Sequence, residues 1–299
     1  LDVKKYEALL YSLDLGSFSA AAEALRYTPA GISRMVDAVE ASLGFAVLKR
    51  SFTGVCLTPS GEKIINEIRS IVKNEHMLCQ HASELNGLVS GDITVGAYYS
   101  IATHWLPEVF IKFLHDYPNI NIKLREGGHQ LLNTWMSESD IDFCMYSFDP
   151  NIECKWFPLQ KDRMAAVVAE NHPFAKRKSV TLDECCKEPF IMPASGSDFD
   201  IMSILKQRTD KLNIRFSTVE NYSALAMVES GLGISIMNEL ITKGLTRRIA
   251  LVPLDPPQTI SLGIAAPSMQ AVSPAARKLI EYIKNTLCKK TVLPETNTV

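Results

Sequence analysis

Histidine and cysteine have the widest chemical range of any residues in this chain, and their spacing withholds most of it. Six histidines and seven cysteines are spread over 299 residues. His76 and His81 lie five positions apart, so on a helix they diverge and cannot share a metal ion. No histidine pair shows ligand spacing, and no metal site is expected. The cysteines, at 56, 79, 144, 154, 185, 186 and 288, form no C-x-x-C. An odd, scattered set reads as free thiols in a reducing compartment. The adjacent Cys185 and Cys186 could make a redox switch, but neighbours on a helix point apart, and two buried thiols are the plainer reading. Gly231-x-Gly233 follows a helical pattern rather than a strand and lacks the rest of a dinucleotide fingerprint. No G-x-S-x-G elbow is present. Nothing here argues for an enzyme or a cofactor.

What the spacing does support is recognition. Three polar segments follow candidate strands, where α/β sheets place their ligands. The first is Tyr98-Tyr99-Ser100-Ile101-Ala102-Thr103, opening a helix whose free N–H groups favour an anion. The second is Glu126-Gly127-Gly128-His129, and the third is Pro193-Ala194-Ser195-Gly196-Ser197. Tyr99, Ser100, Ile101, Gly128, His129 and Ser195 are the candidate effector residues. Hydroxyls, a helix start and glycines that admit close backbone approach suit a small carboxylate or another anion. Each segment taken alone is as readily a turn.

A second group is placed by helical periodicity near the N-terminus. Residues 4–14 put Tyr6, Leu9, Leu10 and Leu13 on one face, and Gly16 ends the helix. Ser19 is placed to cap a short alanine-rich helix from Ala20 to Leu25. A tight break at Arg26-Tyr27 follows. Thr28 then serves as N-cap with Pro29 in the first helical position, where its missing N–H costs nothing. Ile32, Val36, Val39 and Leu43 form the buried stripe of this third helix, which Gly44 terminates. Ala30, Ser33 and Arg34 face outward. Two helices joined by a short turn, the second exposing small and polar residues near its start, suit a major groove. An extended run from Phe45, a turn at residues 51–54 and a strand at Val55-Cys56-Leu57 read as a wing that lays Arg50 and Thr53 along phosphates. Charge adds little: the chain is near −2 overall, and residues 1–62 hold six basic against seven acidic side chains. A plain helical hairpin remains open on pattern alone.

The motif run Gly16-Ser17-Phe18-Ser19-Ala20-Ala21-Ala22-Glu23-Ala24-Leu25, then Ile32-Ser33-Arg34, Glu40-x-x-Leu43-Gly44 and Leu57-Thr58-Pro59-Ser60-Gly61 resembles the N-terminal signature of LysR-type transcriptional regulators. The resemblance covers residues 3–65. It departs from the family where the third helix commonly begins Ser-Gln-Pro-Ala: here the chain has Thr28-Pro29-Ala30-Gly31, and the usual glutamine is Pro29. That removes an amide able to read a base edge. Ser33 and Arg34 match. The DNA-facing set is then Ser19, Thr28, Pro29, Ala30, Ser33, Arg34, Arg50 and Thr53.

From Pro59 to about Val89 no proline intervenes. Ile64, Ile68, Ile71, Glu75, Leu78, Ala82, Leu85 and Val89 alternate at steps of four and three, a heptad seam that wants a partner helix. Packing on its own domain is the rival reading. The resemblance implies a dimerisation helix, and Gly87, Ser90 and Gly91 supply a hinge. Beyond Asp92 strands alternate with helices, which predicts a mostly parallel α/β sheet in two units. The resemblance, carried here by Leu106-Pro107 and Val228-Glu229-x-Gly231-x-Gly233-Ile234, implies a two-lobed effector domain of the type 2 periplasmic-binding-protein kind. It also aligns Ser100 with the family's first-loop position.

The expected organisation is a winged helix-turn-helix over residues 1–58, a linker helix over 59–89, an effector-binding domain over 90–290 and a flexible tail over 291–299. Lobe I takes about 90–161 and 268–290, and lobe II about 162–267. The resemblance implies double-stranded DNA and a small-molecule effector as partners, with assembly as a homodimer or a dimer of dimers (a homotetramer) and RNA polymerase as a further candidate. No run reaches the roughly 18 apolar residues of a membrane span. The first residues lack the apolar run of a signal peptide, so a cytoplasmic location is expected. A transporter's solute-binding protein would share the C-terminal pattern but would carry a signal sequence and no helix-turn-helix. An enzyme with a helical cap is the third reading. Residues 16–61 count against both.

Overall fold

The computed structural model describes residues 2–51, 54–85, 89–194, 198–269 and 271–288. Two compact units emerge, one running to Gly91 with Ser137–Asp140, the other holding the remainder. Among the described residues no helix is long and apolar enough to cross a membrane.

The first unit begins with three helices, α1 (Val3–Asp14), α2 (Phe18–Leu25) and α3 (Pro29–Leu43). The Thr28 hydroxyl accepts the Gly31 N–H at 3.1 Å, with Pro29 in the first turn, and Gly44 ends α3 in the left-handed conformation at φ 81°. Ile32, Val36 and Val39 are buried in one core with Ala8, Leu9 and Ala21. The expected cap of α2 is corrected: Ser17, not Ser19, is the N-cap, and its Oγ accepts the N–H groups of Ser19 and Ala20. The helix therefore starts two residues earlier than Ala20, and Ser19 sits exposed within its first turn.

The wing is a two-stranded antiparallel hairpin, β1 (Leu48–Ser51) and β2 (Gly54–Leu57). Its first strand starts at Leu48 rather than Phe45. Glu40 reaches out of α3 to the start of this strand, where its Oε1 accepts the N–H groups of Val47 and Leu48 at 2.7 and 2.8 Å. The Val55 N–H donates to the Gly16 carbonyl at 2.9 Å, so the hairpin lies against the α1–α2 turn. A Cβ on Gly54 would meet that same carbonyl oxygen at 2.6 Å.

Helix α4 (Gly61–Leu85) follows, two residues later than Pro59 suggests. Thr58 caps it, accepting from Gly61 N–H and donating to the Ala46 carbonyl. The heptad reading needs correction in its first half. Ile65, Ile68 and Val72 are buried in the core of their own unit, and Ile64 and Ile71 pack partly against it. An ion pair of Arg69 with Asp14 and a hydrogen bond between His76 Nε2 and Glu7 Oε1, both at 2.7 Å, tie α4 to α1. The second half differs, with Leu78 68% and Leu85 89% exposed.

The second unit carries β3 (Gly91–Ala97), α5 (Tyr99–His104), α6 (Leu106–Asp116), β4 (Ile120–Glu126), α7 (His129–Ser137), β5 (Phe143–Ser147) and the long β6 (Lys155–Ala169). Then come α8 (Leu182–Cys185), β7 (Phe190–Met192), α9 (Phe199–Leu205), β8 (Ile214–Ser217), α10 (Asn221–Glu229), β9 (Ser235–Asn238), α11 (Glu239–Thr242), the long β10 (Ile249–Ala266) and α12 (Pro274–Cys288). The capping box at Thr181 and Glu184 forms as its spacing suggests. The segment after β3, expected to open a helix, is itself helical over Tyr99–His104. The main sheet has the order β4-β3-β5-β10-β6-β9, with β7 and β8 paired in parallel and β7 bridged to Ile234 just before β9.

The sheet is mixed rather than mostly parallel. β3 and β5 run parallel, whereas β10 is antiparallel to both β5 and β6. The chain enters the second lobe on β6 and leaves it on β10, so the two crossing strands must run in opposite directions. Leu262–Ala265 already pair with β5, which puts the return to the first lobe earlier than residue 268. Helix α12 closes on α6, with Tyr282 stacked edge-on against Phe113 and donating to Asp116.

Candidate nucleic-acid interface and effector cleft

On the first unit, Thr28, Pro29, Ala30 and Arg34 are exposed along the start of α3, and Ser33 is half-buried beside them. Arg50 of β1 joins this row. Its Nη2 donates to Ser33 Oγ at 3.0 Å, and its guanidinium lies 4.5 Å from the centre of the Phe18 ring. A cation over an aromatic face is held electrostatically while its remaining donors stay free. The wing, the start of α2 and the start of α3 thus converge on one arginine. Phe18 belongs to the N-terminal motif run, but periodicity alone gives it no role, because its partner comes from a distant element. Thr53 lies outside the described residues.

The second unit encloses a cavity of about 760 Å³ between its lobes. Tyr98, Tyr99, Ser100 and the stretch Glu126–His129 line it from one side, and Pro193, Ala194, Asp198, Phe199, Asp200, Glu220 and Asn221 from the other. Two of the contacts between described residues that cross it are direct and well placed. Tyr99 Oη donates to Glu220 Oε1 at 3.2 Å, and the His129 ring stacks on Phe199 at 3.7 Å and 8°.

The histidine is held in one state. Asn133 Oδ1 accepts from the Tyr146 hydroxyl at 2.7 Å, which leaves Asn133 Nδ2 to donate to His129 Nδ1 at 3.1 Å. The ring proton then sits on Nε2, 3.6 Å from Asp149 Oδ2. Burial lowers the His129 pKa to about 4, against a smaller opposing pull from Asp149, so the ring is neutral near pH 7.

The carboxylates behave in the opposite way. Asp200 is 6% exposed, and its Oδ1 has no hydrogen-bond partner. Burial and then the neighbouring Asp198 raise its pKa to about 7, with the Ser147 and Tyr98 hydroxyls drawing it partly back. Burial also raises Asp198, whose Oδ1 caps α9 by accepting the Ile201 N–H at 3.0 Å. Asn221 Oδ1 is a further buried acceptor without a partner.

Of the residues expected from sequence, Tyr99, Ser100, Gly128 and His129 line the cavity. Ile101 does not: its side chain is fully buried in the core, because the helix begun at Tyr99 turns that position inward. Ser195 lies outside the described residues. Sequence reasoning misses the acidic lining. Glu126 stands in a named segment, but Asp198, Asp200 and Glu220 carry no motif and converge only through the fold. The described lining holds four carboxylates and no lysine or arginine.

Comparisons with known proteins agree with this architecture. Residues 3–62 match the family model described as bacterial regulatory helix-turn-helix protein, lysR family, and residues 86–288 match the LysR substrate binding domain. An uncharacterized HTH-type transcriptional regulator of Bacillus subtilis, YvbU, is 28% identical over 274 residues, spanning 91% of this chain and 94% of that protein. A full-length OxyR point variant from Pseudomonas aeruginosa superposes with a TM-score of 0.72 at 19% identity, covering 96% of this chain and 94% of that one. Full-length CbnR in complex with its target DNA superposes at 0.65 with 17% identity, covering 96% and 100%. With a helix-turn-helix and wing in one unit and a two-lobed cleft in the other, the chain belongs to the LysR family of DNA-binding transcriptional regulators with a C-terminal effector-binding domain.

Proposed function

We propose that α3 enters the major groove with Pro29, Ala30, Ser33 and Arg34 at base edges or flanking phosphates, while Thr28, Ser19 and the wing residues Arg50 and Thr53 hold the backbone. The observation that carries this is Arg50, docked on Ser33 and Phe18 beside the exposed start of α3. The exposed half of α4 then pairs with a second copy, and two such dimers give a tetramer on the promoter, in the cytoplasm, within reach of RNA polymerase. An effector held by Tyr99, Ser100, Gly128, His129 and Ser195 changes the angle between the lobes and so biases the assembly. The role is regulatory, with no reaction catalysed. A coupling of about 1–3 kcal/mol between effector and DNA would suffice.

Gel-shift titration against the upstream region of the chain's own gene tests the DNA face. Arg34→Ala should weaken binding about ten- to a hundredfold, with no change in melting temperature. Unchanged affinity across a salt series would remove α3 from the interface.

A further inference from the structure

We infer that the cleft of the effector domain takes an organic cation, a ligand carrying one or more ammonium groups, rather than a carboxylate or phosphate. The inference rests on reading the cleft as the effector site and names the class of ligand.

The charge count is one-sided. Glu126, Asp198, Asp200 and Glu220 all line the cavity, and no described lining residue is lysine or arginine. The adjoining residues 195–197 are Ser-Gly-Ser and carry no charge. His129 is the lining side chain best able to become positive, and its burial keeps it neutral.

Helix N-termini could oppose this, since they attract anions. At α9 the chain's own carboxylate already occupies that role. Asp198 caps α9, whereas Glu220, the N-cap residue of α10, makes no side-chain cap bond and its carboxylate accepts from Tyr99 instead. Glu126 stands three residues ahead of the first residue of α7. An arriving anion would meet carboxyl groups on both walls of the cavity.

The second observation is Asp200. A carboxylate oxygen buried without a hydrogen-bond partner is costly, and native proteins rarely leave one so. The Ser147 and Tyr98 hydroxyls reach this carboxyl group but leave Oδ1 without a partner, and Asp198 beside it repels it. An ammonium group brings three donors and a positive charge, which is what this oxygen lacks. The acidic groups also fall into two sets. Asp198 and Asp200 act on Tyr98, while Glu126 and Glu220 act on Tyr99.

The experiment is calorimetric titration of the full chain with 1,4-diaminobutane and with succinate, which share a four-carbon chain and differ in charge. The diamine should bind, and Asp200→Asn should weaken it at least tenfold without lowering the melting temperature. A merely structural Asp200 would show the reverse, with a lowered melting temperature and unchanged affinity. Succinate binding that falls in Ser100→Ala, with no diamine binding, overturns the cation and leaves the cleft as an effector site. Binding of neither probe, or diamine affinity that survives Asp200→Asn, overturns the cation and also counts against the reading of the cleft.

Discussion

The two units treat polar groups in opposite ways. In the first, polar side chains are satisfied locally and at the surface. Ser17 and Thr28 cap helices, Glu40 takes two backbone N–H groups, and Arg50 rests on Ser33. In the second, Asp200 keeps a buried oxygen without a partner, and so do Asn221 and the Nε2 of His129. A surface that meets DNA needs charges held in place but still accessible. A cleft that must respond to a ligand gains from groups that only the ligand completes, because differential satisfaction is what shifts an equilibrium.

The largest test of this contrast lies along α4, where one helix serves two purposes. Ile68 is 3% exposed in the core of the first unit, whereas Leu78 is 68% exposed one heptad and a turn later. Ile68→Asp should unfold the first unit, at a cost of several kcal/mol for a buried, unpaired charge. Leu78→Asp should leave the melting of that unit unchanged and shift the sedimentation profile toward the monomer. A wild-type profile for Leu78→Asp would mean that this half of the helix makes no contact with a second copy.

A smaller effect, of opposite sign, is expected at Asp200. Its folded pKa is near 7 and its ordinary value 3.8. Below pH 4 the carboxyl is protonated whether folded or not, and it costs nothing. As the pH rises from 4 to 7 the unfolded chain releases its proton and the folded chain holds on, so stability falls. Above 7 the loss is complete, on the order of a few kcal/mol. His129 works the other way over much of the same range: its folded pKa is near 4, so it costs stability as the pH falls from 6.5. Asp200→Asn should therefore raise the melting temperature at pH 8, with the gain shrinking toward pH 4. Equal melting temperatures at pH 8 would show that the buried carboxylate finds a partner in solution.

These two regions are also unequally legible in the sequence. Helices α1 to α3 follow from local rules, with apolar residues at steps of three and four, threonine before proline at a start and glycine at an end. The cleft depends on long-range placement. Tyr99 and Glu220 lie 121 positions apart and meet only because β6 and β10 carry the chain across and back. The strand, glycine and hydroxyl signals locate Ser100, Gly128 and His129. They cannot reveal that four carboxylates gather there, since no periodicity links Glu126, Asp198 and Glu220. The parallel-sheet expectation fails for the same reason, because alternating elements do not specify which strands cross between lobes.

The smallest expected effect concerns the cap of α2, where sequence rules offer two serines and only one is used. Ser17 has extended backbone, φ −156° and ψ 132°, and its Oγ faces the N–H groups of Ser19 and Ala20 at 3.2 and 3.4 Å. Ser19 is already helical, so its hydroxyl cannot turn back onto the first free N–H groups of its own helix. The capping rule itself is sound. Applied to Ser19 it leaves Phe18 outside the helix, and the start then falls too late. Ser17→Ala should cost about 1 kcal/mol of stability. Ser19→Ala should cost almost nothing, since alanine is the better helix former and the hydroxyl is exposed. The two variants differ by one oxygen at neighbouring sites, so chemical denaturation with a common slope compares them directly. Equal losses would mean that both hydroxyls cap, as in a frayed start to the helix. A loss confined to Ser19→Ala would restore the later helix start. If Ser19→Ala instead weakens DNA binding at unchanged stability, its hydroxyl belongs to the phosphate contacts of the wing face.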